Sequence, residues 1–279
     1  MSHEDLSERL ERYYRRSRLS FDLFVGGAKH FGYYSPGTRP SEKQARESME
    51  QLLAEKLHLA SGMRALDAGC GQGVVSVHLC RRHRCEIDGV TILPFEVPAA
   101  ERLARRKGVS GRARYHLKDY SATGFPGESF DAIYSMETLC HAPDLGRTLR
   151  EFHRLLKAGG RVAFFEYTLG EAGRFPEDHR ARLERVIHRT AMHSLAAFVP
   201  PRFCGMLEAA GFDHVRSEDL TPNFAPSIAR YERILRWPYR IVSFLGLGER
   251  FPNVTSIVDV FPMVREGLVG YHVFSARKR

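Results

Sequence analysis

The sequence predicts an α/β fold, a doubly wound and mostly parallel seven-stranded sheet with an N-terminal helix and helical insertions. Three features carry this. From residue 64 onward, short apolar runs of strand length alternate with stretches of helical period. The first such strand leaves through glycines at alternate positions, Gly69, Gly71 and Gly73, straight into a helix. Two later stretches, 171–200 and 221–267, break the alternation with a helical pattern rich in Arg, His and aromatic residues.

The elements follow in order. Residues 3–24 place Leu6, Leu10, Tyr13, Tyr14, Leu19, Phe21 and Phe24 at helical spacing among charges, which reads as one or two amphipathic helices. Gly26 and Gly27 break them, and HFGYYSPG at 30–37 forms an aromatic loop. Pro40-Ser41 opens a helix over 41–57, ended before Ser61-Gly62. Strands are expected at 64–69, 85–91, 113–119, 130–136, 161–168, 214–220 and 270–278. Helices are expected at 73–83, 95–107, 144–156 and 201–210. Parallel strands need helices on both faces, and the strand that arrives last is the one free to run antiparallel. The insertions follow strands whose C-terminal ends face the ligand crevice, so they are read as caps. The expected division is an N-terminal part, 1–60, of helices and aromatic lid loop, followed by a sheet-bearing part, 61–279, that carries both caps.

A chain of 279 residues with 43% hydrophobic content can bury a full core, which excludes a disordered class. The net charge of +9 suggests a nucleic-acid partner, but the basic residues are scattered among acids without interleaved aromatics. No nucleic-acid partner is therefore expected. Five cysteines without a CxxC pair argue against a disulfide framework and a structural zinc site, and fit a reducing compartment. His179, His188 and His193 lack metal-ligand spacing, and no metal is expected. The N-terminus has no apolar h-region and no apolar run reaches the ~20 residues of a membrane span. The expectation is a soluble, cytoplasmic protein.

The chemistry concentrates in LDAGCGQG at 66–73. Its glycines let the backbone turn sharply and approach a ligand, and the helix N-terminus beyond offers N–H groups to an anion. Asp67 would repel phosphates and favour an ammonium, so an amino-acid-bearing nucleotide fits both ends. A tight turn that binds nothing is the competing reading.

LDAGCGQG resembles the first motif of class I S-adenosylmethionine-dependent methyltransferases, whose fold is Rossmann-like. GVTILPFE at 89–96 is similar to the GVTLSPEQ of small-molecule methyltransferases, which implies Thr91, Ile92 and Glu96 at the cofactor ribose, with Glu96 standing where Gln is usual. Lys118-Asp119-Tyr120 matches the place where an Asp accepts from the adenine amine, and the competing role for Asp119 is a helix cap. METLCHAPD at 136–144 is close to the EATCHAPD of sterol 24-C-methyltransferases, and HFGYY resembles the loop of that group and of tocopherol-type methyltransferases. The resemblance implies Tyr33 and Tyr34 over the cofactor, where they would hold its carboxylate and shield the sulfonium, with paired packing tyrosines as the alternative. S-adenosyl-L-methionine is the cofactor it implies, with S-adenosyl-L-homocysteine as product. The expected cofactor set is Tyr33, Tyr34, Asp67, Gly69, Gly71, Gly73, Thr91, Ile92, Glu96, Asp119, Tyr120 and Met136.

Glu137 and His141 follow the fourth strand, where an acceptor would meet the methyl group. His suits proton transfer near neutral pH and a carboxylate favours a developing cation. The expected catalytic set is His141, Glu137 and Tyr34. Aromatics of the caps, including Phe198, Phe203, Phe224, Tyr231 and Trp237, suit a hydrophobic small-molecule substrate or ordinary core. The leading expectation is C-methylation of an isoprenoid double bond through a carbocation. Sterols and prenylated specialised metabolites both qualify, and the prenyl version, in which the chain is similar to the teleocidin-pathway prenyl methyltransferases, comes first. O- or N-methylation of a phenolic or amine metabolite is the alternative, and a non-catalytic nucleotide-binding protein is a third. The N-terminal helix either packs as a lid or exchanges with a neighbouring subunit to form a homo-oligomer, with Gly26-Gly27 as hinge.

Overall fold

The computed structural model describes residues 8–17, 30–170 and 175–279, apart from the side chain of Glu249. Residues 8–17 form helix α1. The expected positions Leu6, Leu19, Phe21 and Phe24, the Gly26-Gly27 hinge and the first residues of the 171–200 insertion lie outside the described residues. Helix α2 (Glu42–Leu57) begins at a capping box in which Ser41 and Gln44 satisfy each other's backbone N–H groups.

Seven strands then build one sheet: β1 (Arg64–Ala68), β2 (Glu86–Thr91), β3 (Ala113–Leu117), β4 (Phe130–Met136), β5 (Leu156–Leu169), β6 (Phe212–Asp219) and β7 (Val269–Lys278). Their order is β3-β2-β1-β4-β5-β7-β6. β1 to β5 pair in parallel, and β7 runs antiparallel between β5 and β6. The central strands β1, β2 and β4 are buried almost throughout, as expected of parallel strands covered on both faces. β6, at the edge, is mostly exposed and polar in sequence.

Helices α3 (Val74–His83), α4 (Glu96–Arg106), α5 (Leu145–Leu155) and later α7 (Pro200–Ala209) cover the two faces. One face carries Ala65, Tyr134, Phe165 and Tyr271, and the other Leu66, Ile133, Phe164 and Phe274, the period-two alternation of strands. The winding reverses between β1 and β4, which opens a crevice at their C-terminal ends.

β5 starts five residues earlier than expected. Leu156 pairs with Phe130, the register shifts before Ala132, and the kink passes through Gly159 at φ 76°. A side chain at Gly160 would stand 2.9 Å from the Lys157 carbonyl, so the Gly159-Gly160 pair lets the strand form where a helix end was expected.

The insertions form α6 (Glu177–Thr190), α8 (Thr221–Phe244) and α9 (Pro252–Arg265), and α9 packs on both of the others. Buried Asp259 on α9 joins them: it accepts from Arg189 Nη1 of α6 at 2.9 Å and from the Tyr239 hydroxyl of α8 at 3.1 Å. Asp259→Ala should lower stability by about 1–3 kcal/mol, seen as a fall of several degrees in thermal midpoint. An unchanged midpoint would show that the three helices hold together without it.

Candidate functional site

β1 ends in a turn built by close approach. Gly69 sits at φ 90°, and a Cβ there would lie 2.5 Å from Thr138 Oγ1. Thr138 has to be there, because its hydroxyl donates to Ala68 O at 2.8 Å and ties the end of β1 to the turn after β4. Gly73, at φ 75°, caps α3 without a side-chain bond, and a Cβ there would meet the Tyr115 hydroxyl at 2.5 Å. Beside this turn Asp67 is buried, and its Oδ2 has no hydrogen-bond partner among the described residues. Burial pushes the Asp67 carboxyl up to about 7.

The strands to one side supply further acceptors. Thr91 donates to Glu96 Oε2 at 2.8 Å and accepts from Leu93 N, so the β2 turn holds Glu96 at the first turn of α4. After β3, Asp119 Oδ1 caps a short turn by accepting from Ser121 N at 2.7 Å. The Tyr120 hydroxyl donates to Thr138 O at 3.1 Å.

β4 delivers the remaining groups. Glu137 adopts φ 59°, a left-handed conformation uncommon outside glycine. Its carboxylate accepts from Phe31 N at 3.0 Å, from the Tyr271 hydroxyl at 2.9 Å and from the Tyr167 hydroxyl. Burial raises its pKa above the ordinary range, while Tyr167, Phe31, His30 and Tyr271 pull the other way. Glu166, fully buried, accepts from Thr138 N at 2.9 Å and Leu139 N at 2.7 Å, which fixes the single helical turn Leu139–His141. Burial pushes Glu166 up to about 8.

His141 Nδ1 lies 3.0 Å from Ala191 O. A carbonyl can only accept, so Nδ1 carries a proton, and Nε2 is the acceptor whenever the ring is neutral. The Tyr14 hydroxyl donates to that Nε2 at 3.4 Å. His30 donates to Phe31 O at 3.0 Å and to Glu50 Oε1 at 3.4 Å. Burial opposes its charged form, but Glu50 outweighs this and raises the pKa.

These groups border two cavities. The first runs along the C-terminal ends of β1 to β4 and is lined by Asp67, Gly69, Gly71, Thr91, Ile92, Glu96, Asp119, Tyr120 and Met136. The second lies under the cap helices and is lined by Phe31, Tyr167, Leu183, Val186, Met192, Leu195, Ile228, Tyr231, Ile257 and Val260. Tyr14, His30, Glu137 and His141 belong to both.

Residues 66–164 match the family described as methyltransferase domain. The S-adenosyl-L-methionine-dependent Diels-Alderase iccD of Talaromyces variabilis is 32% identical over 268 residues, 91% of this chain and 89% of that protein. The chain belongs to the class I S-adenosylmethionine-dependent methyltransferases. The sterol 24-C-methyltransferase erg6 of Aspergillus fumigatus is 26% identical to this methyltransferase over 270 residues, 90% of this chain and 69% of that protein. Among solved structures, the [4+2]-cyclase SpnF matches it with a TM-score of 0.79 at 25% identity, over 95% of this chain and 93% of that one.

S-adenosylmethionine is the cofactor of this methyltransferase, and the first cavity fits it. The orphaned oxygen of Asp67 can take the cofactor ammonium, which returns a charge partner to a carboxyl that burial has left half protonated near neutrality. Thr91 and Glu96 can take ribose hydroxyls, and Asp119 can accept from the adenine amine.

Of the expected residues, Tyr33 and Tyr34 are not among those lining either cavity. The backbone N–H of Tyr33 donates to Ala45 O, and the Tyr34 hydroxyl donates to Glu42 at 2.7 Å. Both are held on α2, away from the catalytic and cofactor-shielding places expected of them. The loop reaches the site instead through His30 and Phe31. Gly73 shapes the turn without lining the first cavity. His30, Phe31, Tyr14, Glu166, Tyr167 and Tyr271 were not expected at the site from the sequence. The one local signal among them was Glu166, a lone acid within the apolar run RVAFFEYT.

An ammonium pairs only with ionised Asp67. Cofactor affinity should therefore rise with pH up to about 7 and flatten above it, most steeply at acid pH. Asp67→Asn should weaken binding about 10- to 100-fold (roughly 1.4–2.8 kcal/mol) and remove that slope. Calorimetric titration across pH checks this, and an unaltered pH profile in the variant would place the ammonium elsewhere.

Proposed function

We propose that this enzyme transfers the methyl group of S-adenosylmethionine to a carbon–carbon double bond of an apolar isoprenoid held in the second cavity. The observation that carries the reading is the wall common to both cavities. Tyr14, His30, Glu137 and His141 stand where a cofactor in the first would meet an acceptor in the second.

Bound cofactor supplies an electrophilic methyl on a sulfonium. The cap helices and Phe31 exclude water and hold the acceptor in line, the main requirement of a displacement. The alkene electron pair forms the new carbon–carbon bond as the methyl–sulfur bond breaks, which leaves a substrate carbocation. The Glu137 carboxylate and the faces of Tyr167 and Tyr14 lie beside that charge. A proton from the neighbouring carbon passes to His141 Nε2, the electron pair of that C–H bond closes a new double bond, and the Tyr14 hydroxyl turns from donor to acceptor. Asp67, Thr91, Glu96 and Asp119 keep the cofactor roles assigned above, and Ile92, Tyr120 and Met136 complete the wall of that cavity.

A second reading, [4+2] cyclisation of a polyene in the same cavity, is favoured by the names of iccD and SpnF. Incubation with trideuteromethyl-labelled cofactor and prenylated, phenolic and polyene acceptors separates the readings. The expected product carries the label on carbon, located by NMR. Label on oxygen or nitrogen removes the alkene mechanism, and an unlabelled isomer of unchanged mass establishes cyclisation. His141→Ala should lower turnover about 10²- to 10⁴-fold with cofactor affinity unchanged; a wild-type rate would eliminate His141 as the base.

A further inference from the structure

The outer face of α8 does not behave like the surface of a soluble enzyme. Trp237 is 68% exposed, Ile241 60%, Phe244 91%, Leu245 58% and Ile234 39%. At 3.6 residues per turn these five, with Leu245 as the C-cap of the helix, fall within an arc of roughly 100°, turned away from the buried Ile228, Tyr231 and Leu235. They form one continuous apolar strip on the last turns of the helix, where scattered single residues would be unremarkable.

The strip is bordered by cations. Arg233, Arg236 and Arg240 lie along one edge of the arc and Arg230 falls within its span at the N-terminal side, all four exposed. The Arg240 guanidinium sits 5.0 Å over the Trp237 ring, which leaves it beside the apolar strip. Glu232, paired to Arg236, is the acid nearest on the same helix, and it is buried.

We propose that this face of α8 docks on an anionic lipid surface. Apolar side chains on an amphipathic helix enter the acyl boundary while flanking arginines reach lipid phosphates, and Trp favours that interface because its ring is amphipathic. A second copy of the chain is the less suitable occupant. Antiparallel two-fold pairing through this strip would bring its arginine edge against its own counterpart, whereas an anionic surface neutralises it. Among the described residues no helix is long and apolar enough to cross a membrane, so the contact is peripheral.

The position has a functional sense that rests on the isoprenoid reading. The first half of α8 contributes Ile228 and Tyr231 to the acceptor cavity. Docking the second half would set that cavity beside the phase in which such an acceptor dissolves.

The chain's one tryptophan, Trp237, lies inside the strip, so its emission reports docking without any turnover. Vesicles of equimolar phosphatidylglycerol and phosphatidylcholine should shift the emission to the blue and co-sediment the protein. Pure phosphatidylcholine should bind at least tenfold more weakly, and added salt should narrow that difference. Ile241→Glu with Phe244→Glu should abolish the shift. Arg233→Gln and Arg240→Gln should each cost about fivefold on the anionic vesicles. Unchanged cofactor affinity in each variant confirms folding. No shift with either vesicle overturns the proposal, as does equal binding to both. A blue-shifted emission that grows with protein concentration alone, with a doubled mass lost in the Glu variants, would assign the strip to a second copy instead.

Discussion

Glu137 is the point on which the site turns. A carboxylate withdrawn from water costs several kcal/mol unless donors replace the water, and a left-handed backbone adds about 1–2 kcal/mol. Three donors offset this, from the Phe31 backbone, Tyr167 on β5 and Tyr271 on β7. They lie 106, 30 and 134 residues away in sequence. One side chain therefore joins the N-terminal loop, the parallel strands and the antiparallel edge at the mouth of the crevice. Loss of any donor would leave a buried charge short of a partner.

Beneath it a second set of bonds makes the two ligand turns one unit. Glu166 holds the backbone N–H groups of Thr138 and Leu139, and the Thr138 hydroxyl holds the Ala68 carbonyl, with Ser135 against it at 2.7 Å. The glycine turn after β1 and the helical turn that presents His141 thus share one anchor. The absence of a side chain at Gly69 is a consequence of this arrangement, since Thr138 occupies the space. Displacing Thr138 would disturb the cofactor cavity and His141 together.

Local pattern made much of this legible. Strand period and the glycine turn place Asp67, Thr91, Asp119 and Glu137 at or just past the C-terminal ends of successive strands. In a doubly wound sheet such positions meet at one crevice whatever the loops do. Contacts between distant segments leave no such period. Tyr33 and Tyr34 were the conspicuous aromatics of HFGYY, yet the hydrogen bonds of α2 draw them away and leave His30 and Phe31 lining the cavities. Tyr167 and Tyr271 look like any strand aromatics, because only the antiparallel pairing of β5 with β7, in which they are direct partners, brings both hydroxyls to Glu137. The β5 start was misjudged for a related reason: the pairing of Leu156 with Phe130 extends the ladder through a glycine pair that locally reads as a loop.

The shared wall also bears on which chemistry the cavity serves. Methyl transfer to an alkene and cycloaddition of a polyene both need an apolar, dry enclosure that folds a flexible chain. They differ in charge. Methylation moves a full positive charge from sulfonium to substrate, while a cycloaddition of neutral partners passes through a transition state without net charge. A carboxylate with three donors supporting its ionised form, on the same wall as a histidine, suits positive charge better than a transition state without it. A cycloaddition would gain from the shape of the cavity but would have no use for the Glu137 carboxylate. The polar side of this wall therefore weighs toward methyl transfer.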